Sequence, residues 1–180
     1  TLKNIRYPND DDVDLHSIRN SIEKEINMIF EPRNTITDSN SDHEEWFNVG
    51  LKKDWSQFGR YKRFYQDEVS IVAAEEMDKS TDDIIKNLDD PKRDSKWDRR
   101  GLVIGYVQSG KTANYIGVIN KAIAAGYKVI VVLASRTENL RFQTQQRIDD
   151  GVLGRDSGVE KGKPKKICGV GRYKEYKTKN

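Results

Sequence analysis

Residues 101–134 constrain this chain more than any other stretch. Within them Gly105-Tyr106-Val107-Gln108-Ser109-Gly110-Lys111-Thr112 is a full G-x-x-x-x-G-K-[ST] match, with an apolar run before it and a helical pattern after it. The stretch reads as strand, phosphate loop, helix and second strand, a βαβ unit with right-handed crossover. The residue types suit anion binding. Gly105 and Gly110 let the loop curl so that successive backbone N–H groups point at one anion. The helix from about residue 111 aims its positive end at the same place. Lys111 is then expected to reach the β and γ phosphates of ATP, and Thr112 to place its hydroxyl on Mg²⁺. The expected nucleotide-binding set is Gly105, Gln108, Ser109, Gly110, Lys111, Thr112 and Ala113.

Composition divides the chain at about the same place. Residues 1–100 carry 17 Lys/Arg against 23 Asp/Glu, a net −6, whereas residues 101–180 carry 15 against 6, a net +9. The basic half is the half with the phosphate loop, which suggests a polyanionic partner. Nine of its basic residues lie between Arg155 and Lys179, so a solvated tail is an equal reading. The single cysteine, Cys168, excludes a disulfide framework, and His16 and His43 lack metal-ligand spacing. No apolar run has membrane-spanning length and no signal segment opens the chain, so a cytoplasmic protein without membrane contact is expected. The chain opens at Thr1 and stops at Asn180 in a lysine-rich stretch, so the expectation is a fragment of a longer protein.

Upstream of the loop the pattern is helical. Apolar residues at Leu15, Ile18, Ile22, Ile26 and Ile29 mark a first helix ended by Pro32, with the acidic run Asp10-Asp11-Asp12 favouring its start. A polar linker over 31–41 closes on Ser41 and Glu44, a capping box that predicts a second helix. Residues 66–78 read as helical, and Ser80 with Asp83 predicts a separate short helix over 81–88, stopping before Pro91. Trp46, Phe47, Trp55, Phe58, Tyr61, Phe64 and Tyr65 are interleaved with Lys52, Lys53, Arg60, Lys62 and Arg63. Such a run can stack single-stranded bases, but helically spaced aromatics are more often a core stripe, and core is the favoured reading. Trp97, in the charged loop 91–100, reads as a cap on the helical layer rather than a base-stacking residue.

Downstream, the loop helix should run to Ala125 and stop at Gly126. Lys128–Leu133 reads as a buried parallel strand, a further helix should end at Gly151, and Lys166–Val170 reads as a third strand. Ser135-Arg136-Thr137-Glu138-Asn139-Leu140-Arg141-Phe142-Gln143 follows the second strand, where ligands of an open sheet bind.

Thr137, Leu140 and Gln143 match the Thr-x-x-Leu-x-x-Gln motif of superfamily II helicases, with Arg136 in place of the usual proline. Over roughly residues 80–154 the chain resembles more closely the Z-one domain family. The words that carry this are TDDIIKNLDDP, WDRRGLVIGYVQSGKTANYIG and AGYKVIVVLASRTENLRFQTQQRIDDGVLG. The members are helicase-like ATPases assigned as endonucleases and found with bacterial restriction-modification systems. The resemblance implies a RecA-like P-loop NTPase core with a parallel sheet over 96–180, incomplete at its C-terminal side and preceded by an all-helical region over 1–95. It also implies ATP-driven work on DNA in phage defence, with restriction-modification proteins as partners. Arg136, Thr137 and Arg141 are the candidates for DNA-backbone contact. A motor of this class needs an acidic pair after another strand and arginines from a second lobe. Neither is visible, so this chain alone is expected to bind nucleotide weakly and hydrolyse it poorly. Glu175-Tyr176-Lys177 resembles part of a nuclease metal site but lacks a paired aspartate. Two rivals stand beside this reading: a P-loop kinase, and a non-catalytic DNA-binding or scaffold module whose loop merely holds phosphate.

Overall fold

The computed structural model describes residues 43–105, 110–134, 136–158 and 166–173, all within one unit, Asn34–Asn180. The expected first helix, the capping residue Ser41, loop residues Gln108 and Ser109, and Glu175-Tyr176-Lys177 lie outside them.

Among the described residues four α-helices follow one another: α1 (Ser56–Glu68), α2 (Ile71–Lys86), α3 (Lys111–Ala125) and α4 (Glu138–Ile148). The first two arise from aromatic and small apolar residues at helical spacing. On α1, Phe58 and Tyr61 are buried; on α2 the buried positions are Ala73, Ala74, Met77, Thr81 and Ile85. Ser70 separates the two helices, its hydroxyl accepting from the Ala73 N–H at 3.1 Å, a cap worth about 1 kcal/mol. The expected break at Ser80 is absent. Thr81 instead donates its hydroxyl to the Met77 carbonyl at 2.8 Å inside one continuous helix, the way a mid-helix threonine is satisfied without ending the helix. The helix expected after Ser41 is also absent: residues 43–48 are non-helical, and a 3-10 helix covers Val49–Asp54. That non-helical segment is strapped to the end of α2. The Trp46 indole N–H donates to the Leu88 carbonyl at 2.7 Å, and the Tyr127 hydroxyl donates to that of Asp89 at 2.5 Å.

Helix α3 runs as the sequence predicts, from Lys111 to Ala125, and stops at Gly126 in the left-handed region (φ 110°). Its buried residues Ala113, Ile116, Gly117, Asn120 and Lys121 form one stripe. That stripe faces α1 and α2: Phe47, Trp55, Phe58, Tyr61, Met77, Ile85, Ala113 and Ile116 share one core. The helices upstream of residue 95 and the helix downstream of it are thus packed together.

This packing overturns the expected parallel-sheet core. No strand or sheet is present among the described residues; the only pairing outside helices is an isolated antiparallel bridge between Arg155 and Ile167. Residues 101–105 and 128–134 are neither helical nor paired. Their apolar side chains lie open, Leu102 at 84 % and Leu133 at 92 % of full exposure. The physical reason is the direction of α3. A crossover helix must lay its apolar stripe on the sheet it connects, and here α1 and α2 occupy that stripe. A run such as Val129–Leu133 satisfies strand propensity, but propensity supplies no hydrogen-bonding neighbour.

After α4 the chain continues through a π turn, Asp149–Leu153, ending at Gly154, rather than stopping at Gly151. A 3-10 helix, Gly169–Arg172, packs on this turn. Gly169 has φ 43°, and a Cβ there would fall 2.0 Å from the Asp150 carbonyl oxygen, so both backbone conformation and space require glycine. The third strand expected over 166–170 reduces to the one bridge at Ile167.

Candidate nucleotide-binding cleft

The N-terminal end of α3 carries the motif residues and opens on a cleft of about 440 Å³. Gly110 sits at the N-cap in the left-handed region (φ 74°, ψ 16°), a conformation that explains glycine at this motif position. Lys111, Thr112 and Ala113 follow in the first turn, and all four residues line the cleft. Lys111 donates its ammonium to the Gly105 carbonyl at 2.9 Å, so the two ends of the loop are joined through this side chain. The structure therefore brings Gly105, Gly110, Lys111, Thr112 and Ala113 together.

The opposite wall comes from α1. Tyr61, Phe64, Tyr65 and Glu68, spaced i, i+3, i+4 and i+7, line the cleft with Val69. The Tyr65 hydroxyl lies 4.0 Å from where a Cβ on Gly110 would stand. Tyr61 is buried, stacks on Tyr65 with centroids 6.1 Å apart, and donates its hydroxyl to the Ala113 carbonyl at 3.1 Å. Burial pushes the phenol of Tyr61 well above its usual range, so it stays protonated as this donor. The aromatic run is thus core at Phe47, Trp55, Phe58 and Tyr61, as favoured from sequence, while the same stripe continues as the cleft wall at Phe64 and Tyr65. Trp97 packs edge-on against Tyr127, 6.1 Å between centroids, and is not among the cleft residues.

A third side is formed by Arg147, Asp150 and Gly151 from the end of α4 and the π turn. Two side-chain amides fix it, Asn120 buried and Gln57 half-buried. Asn120 donates to the Gly151 carbonyl at 2.9 Å and accepts from Gln57, whose amide also donates to the Val152 carbonyl at 2.7 Å. Glycine at 151 is a packing requirement, since a Cβ would stand 2.6 Å from Ile116 Cγ2. Cys168 bonds the Asp150 carboxylate. Burial first, then that bond, push its thiol up to about 11, which removes it as a nucleophile at neutral pH.

The expected DNA contacts stand apart from the cleft. Arg136 and Thr137 precede α4 and Arg141 lies in its first turn, none of them lining the cleft. Ten residues of helix, ~15 Å, separate Thr137 from Arg147. Arg141 is exposed and paired with Glu138 at 2.7 Å and 3.0 Å. Sequence reasoning missed Tyr65, Glu68, Arg147 and Asp150 as cleft residues. Only the i, i+3, i+4 spacing on α1 hinted at a shared face. For Arg147 and Asp150 no local signal exists, because their place depends on the long-range bonds made by Asn120 and Gln57.

Among the described residues no group of three His, Cys, Asp or Glu could hold a metal, and no helix is long and apolar enough to cross a membrane. No family model, curated protein or solved structure matches the chain.

Proposed function

We propose that this chain binds a nucleoside triphosphate with Mg²⁺ at the α3 end of the cleft, as the nucleotide-binding part of a helicase-like, DNA-dependent ATPase of the Z-one kind. The observation that supports it most is the setting of Gly110, Lys111 and Thr112. They occupy the N-cap and first turn of a 15-residue helix and face a cleft rather than a packed interior. A merely structural glycine turn would not need a lysine and a threonine open to a cavity. The reading rests on the site, since site chemistry and not fold carries function.

The donor set fits the ligand. Backbone N–H groups at a helix N-terminus together with a lysine suit a polyphosphate. Mg²⁺ keeps several waters and takes one or two protein ligands beside phosphate oxygens, a demand that the Thr112 hydroxyl meets. When bound, the ion neutralises charge on the phosphate oxygens. The cleft volume falls within the range of small-molecule sites. Arg136, Thr137 and Arg141 are proposed to meet the DNA backbone, which would position a strand without reading its bases, and association with restriction-modification proteins follows from the same resemblance.

The test is Mg-ATP binding and turnover with and without DNA, beside Lys111→Ala. Binding lost in the variant, with DNA-stimulated turnover in the parent, supports the reading. DNA-independent turnover rejects the motor role. Salt-dependent DNA binding that ignores nucleotide would instead favour a non-catalytic DNA-binding module.

A further inference from the structure

Two side-chain cations line the cleft among the described residues, Lys111 and Arg147. Only Lys111 belongs to the motif. Arg147, an exposed residue, stands in the last turn of α4, a helix without a buried residue. Its backbone position is nonetheless fixed, because the π turn that follows within two residues is bonded to α3 through Asn120 and to α1 through Gln57. The guanidinium makes no ion pair among the described residues, although Asp150 lines the same cleft and Asp149 is two residues away. Asp149 is satisfied by Gln145 and Ser157 at 2.9–3.0 Å, and Asp150 is bonded by Cys168. Arg147 also lies close enough to α3 for its charge to act on the Tyr115 phenol, which is hydrogen-bonded to Thr112.

These observations put a forked, cationic donor in the same cleft as the two residues that would hold phosphate and Mg²⁺. We propose that Arg147 is the second cation of the nucleotide site, contacting the terminal phosphate of a bound triphosphate and setting preference for triphosphate over diphosphate. This rests on the nucleotide reading above. The helix N-terminus and Lys111 meet the β phosphate, which both nucleotides carry, and Lys111 alone does not enclose the γ phosphate. The phosphoryl group that distinguishes them must project from that end into the cleft, where Arg147 is the remaining cation. Guanidinium matches phosphate oxygens bidentately, which a lysine cannot do. The contribution is therefore specific to charge and shape.

The experiment is a calorimetric titration of Mg-ATP and Mg-ADP into the parent, Arg147→Ala, Arg147→Lys and Lys111→Ala. The thermal midpoint without nucleotide is recorded for each. Arg147→Ala is expected to keep the parent midpoint, weaken ATP binding tenfold or more, and leave ADP binding within about twofold; Arg147→Lys should recover part of the loss. Lys111→Ala should lose both nucleotides. Equal weakening of ATP and ADP in Arg147→Ala, or no change in either, overturns the role of Arg147 and leaves nucleotide binding standing. A parent that binds neither nucleotide overturns both.

Discussion

The Lys121 ammonium, with no exposed surface, donates to the Asp78 carboxylate at 2.6 Å and to the Asp78 carbonyl at 2.7 Å. It also donates to Asp82 at 2.6 Å and lies 4.3 Å from the centroid of the Phe58 ring. Lys52 bonds both carboxylates and Lys62 bonds Asp78, so three cations from three segments meet two carboxylates on α2. The helix that carries the phosphate-loop residues is locked to α2 through this cluster. Burial alone would raise the Asp78 carboxyl, yet hydrogen bonds from Lys121 and Lys52 hold it well below the usual carboxylate range.

Lys121→Ala removes a fully buried cation bonded to both carboxylates, while Lys52 and Lys62 still bond them. It is expected to lower stability by about 1.5–3 kcal/mol, measured by urea unfolding. A loss under 1 kcal/mol would mean that Lys52 and Lys62 satisfy the carboxylates alone.

The same cluster sets an acid limit. Because the folded-state value of Asp78 lies below the unfolded value of about 3.9, its stabilisation is complete above that pH. It is lost as pH falls through the unfolded value toward the folded one. Unfolding midpoints recorded from pH 7 to pH 2 should fall below about pH 4 in the parent and less steeply in Asp78→Asn.

Lys111 is exposed and its bond to the Gly105 carbonyl lies at the surface, so Lys111→Ala should lower the parent's stability by no more than about 1 kcal/mol. Mg-ATP at a hundredfold excess over Kd should stabilise the parent by about 2.7 kcal/mol and the variant not at all. An equal rise in both would remove Lys111 from the site.

At Gly169 an added methyl meets the Asp150 backbone at a positive φ. Gly169→Ala is expected to cost at least about 1–3 kcal/mol through strain and overpacking. Because Asp150 lines the cleft, nucleotide affinity should fall with it. Unchanged urea midpoints would show that the turn relaxes freely.

Cys168, with its thiol near 11, should alkylate about a hundredfold or more slowly than a free cysteine at pH 8. The rate should climb about tenfold per pH unit until pH 10. Iodoacetamide kinetics followed by mass spectrometry read this directly, and a rate equal to the free thiol's at pH 8 would contradict it.

Local chemistry alone determined several features: the extent of α3 and its stop at Gly126, the glycine conformation at Gly110, and the core role of Phe58 and Tyr61 on α1. Each depends on φ preference or on 3.6-residue spacing, which neighbours in sequence carry in full. Tertiary structure alone decided the rest. The buried stripe of α3 is the clearest case, since Asn120 and Lys121 continue the spacing of Ala113, Ile116 and Gly117 and could have been noticed. Which surface would cover that stripe could not: a sheet and a pair of helices both accept it, and here α1 and α2 do, with Asp78 and Asp82 receiving the lysine. That choice leaves Val129–Leu133 unpaired despite its strand composition. It also brings Tyr65 and Arg147, 82 positions apart, to one cleft. Pairing and docking are long-range events, and their free energy resides in partners that no local pattern names.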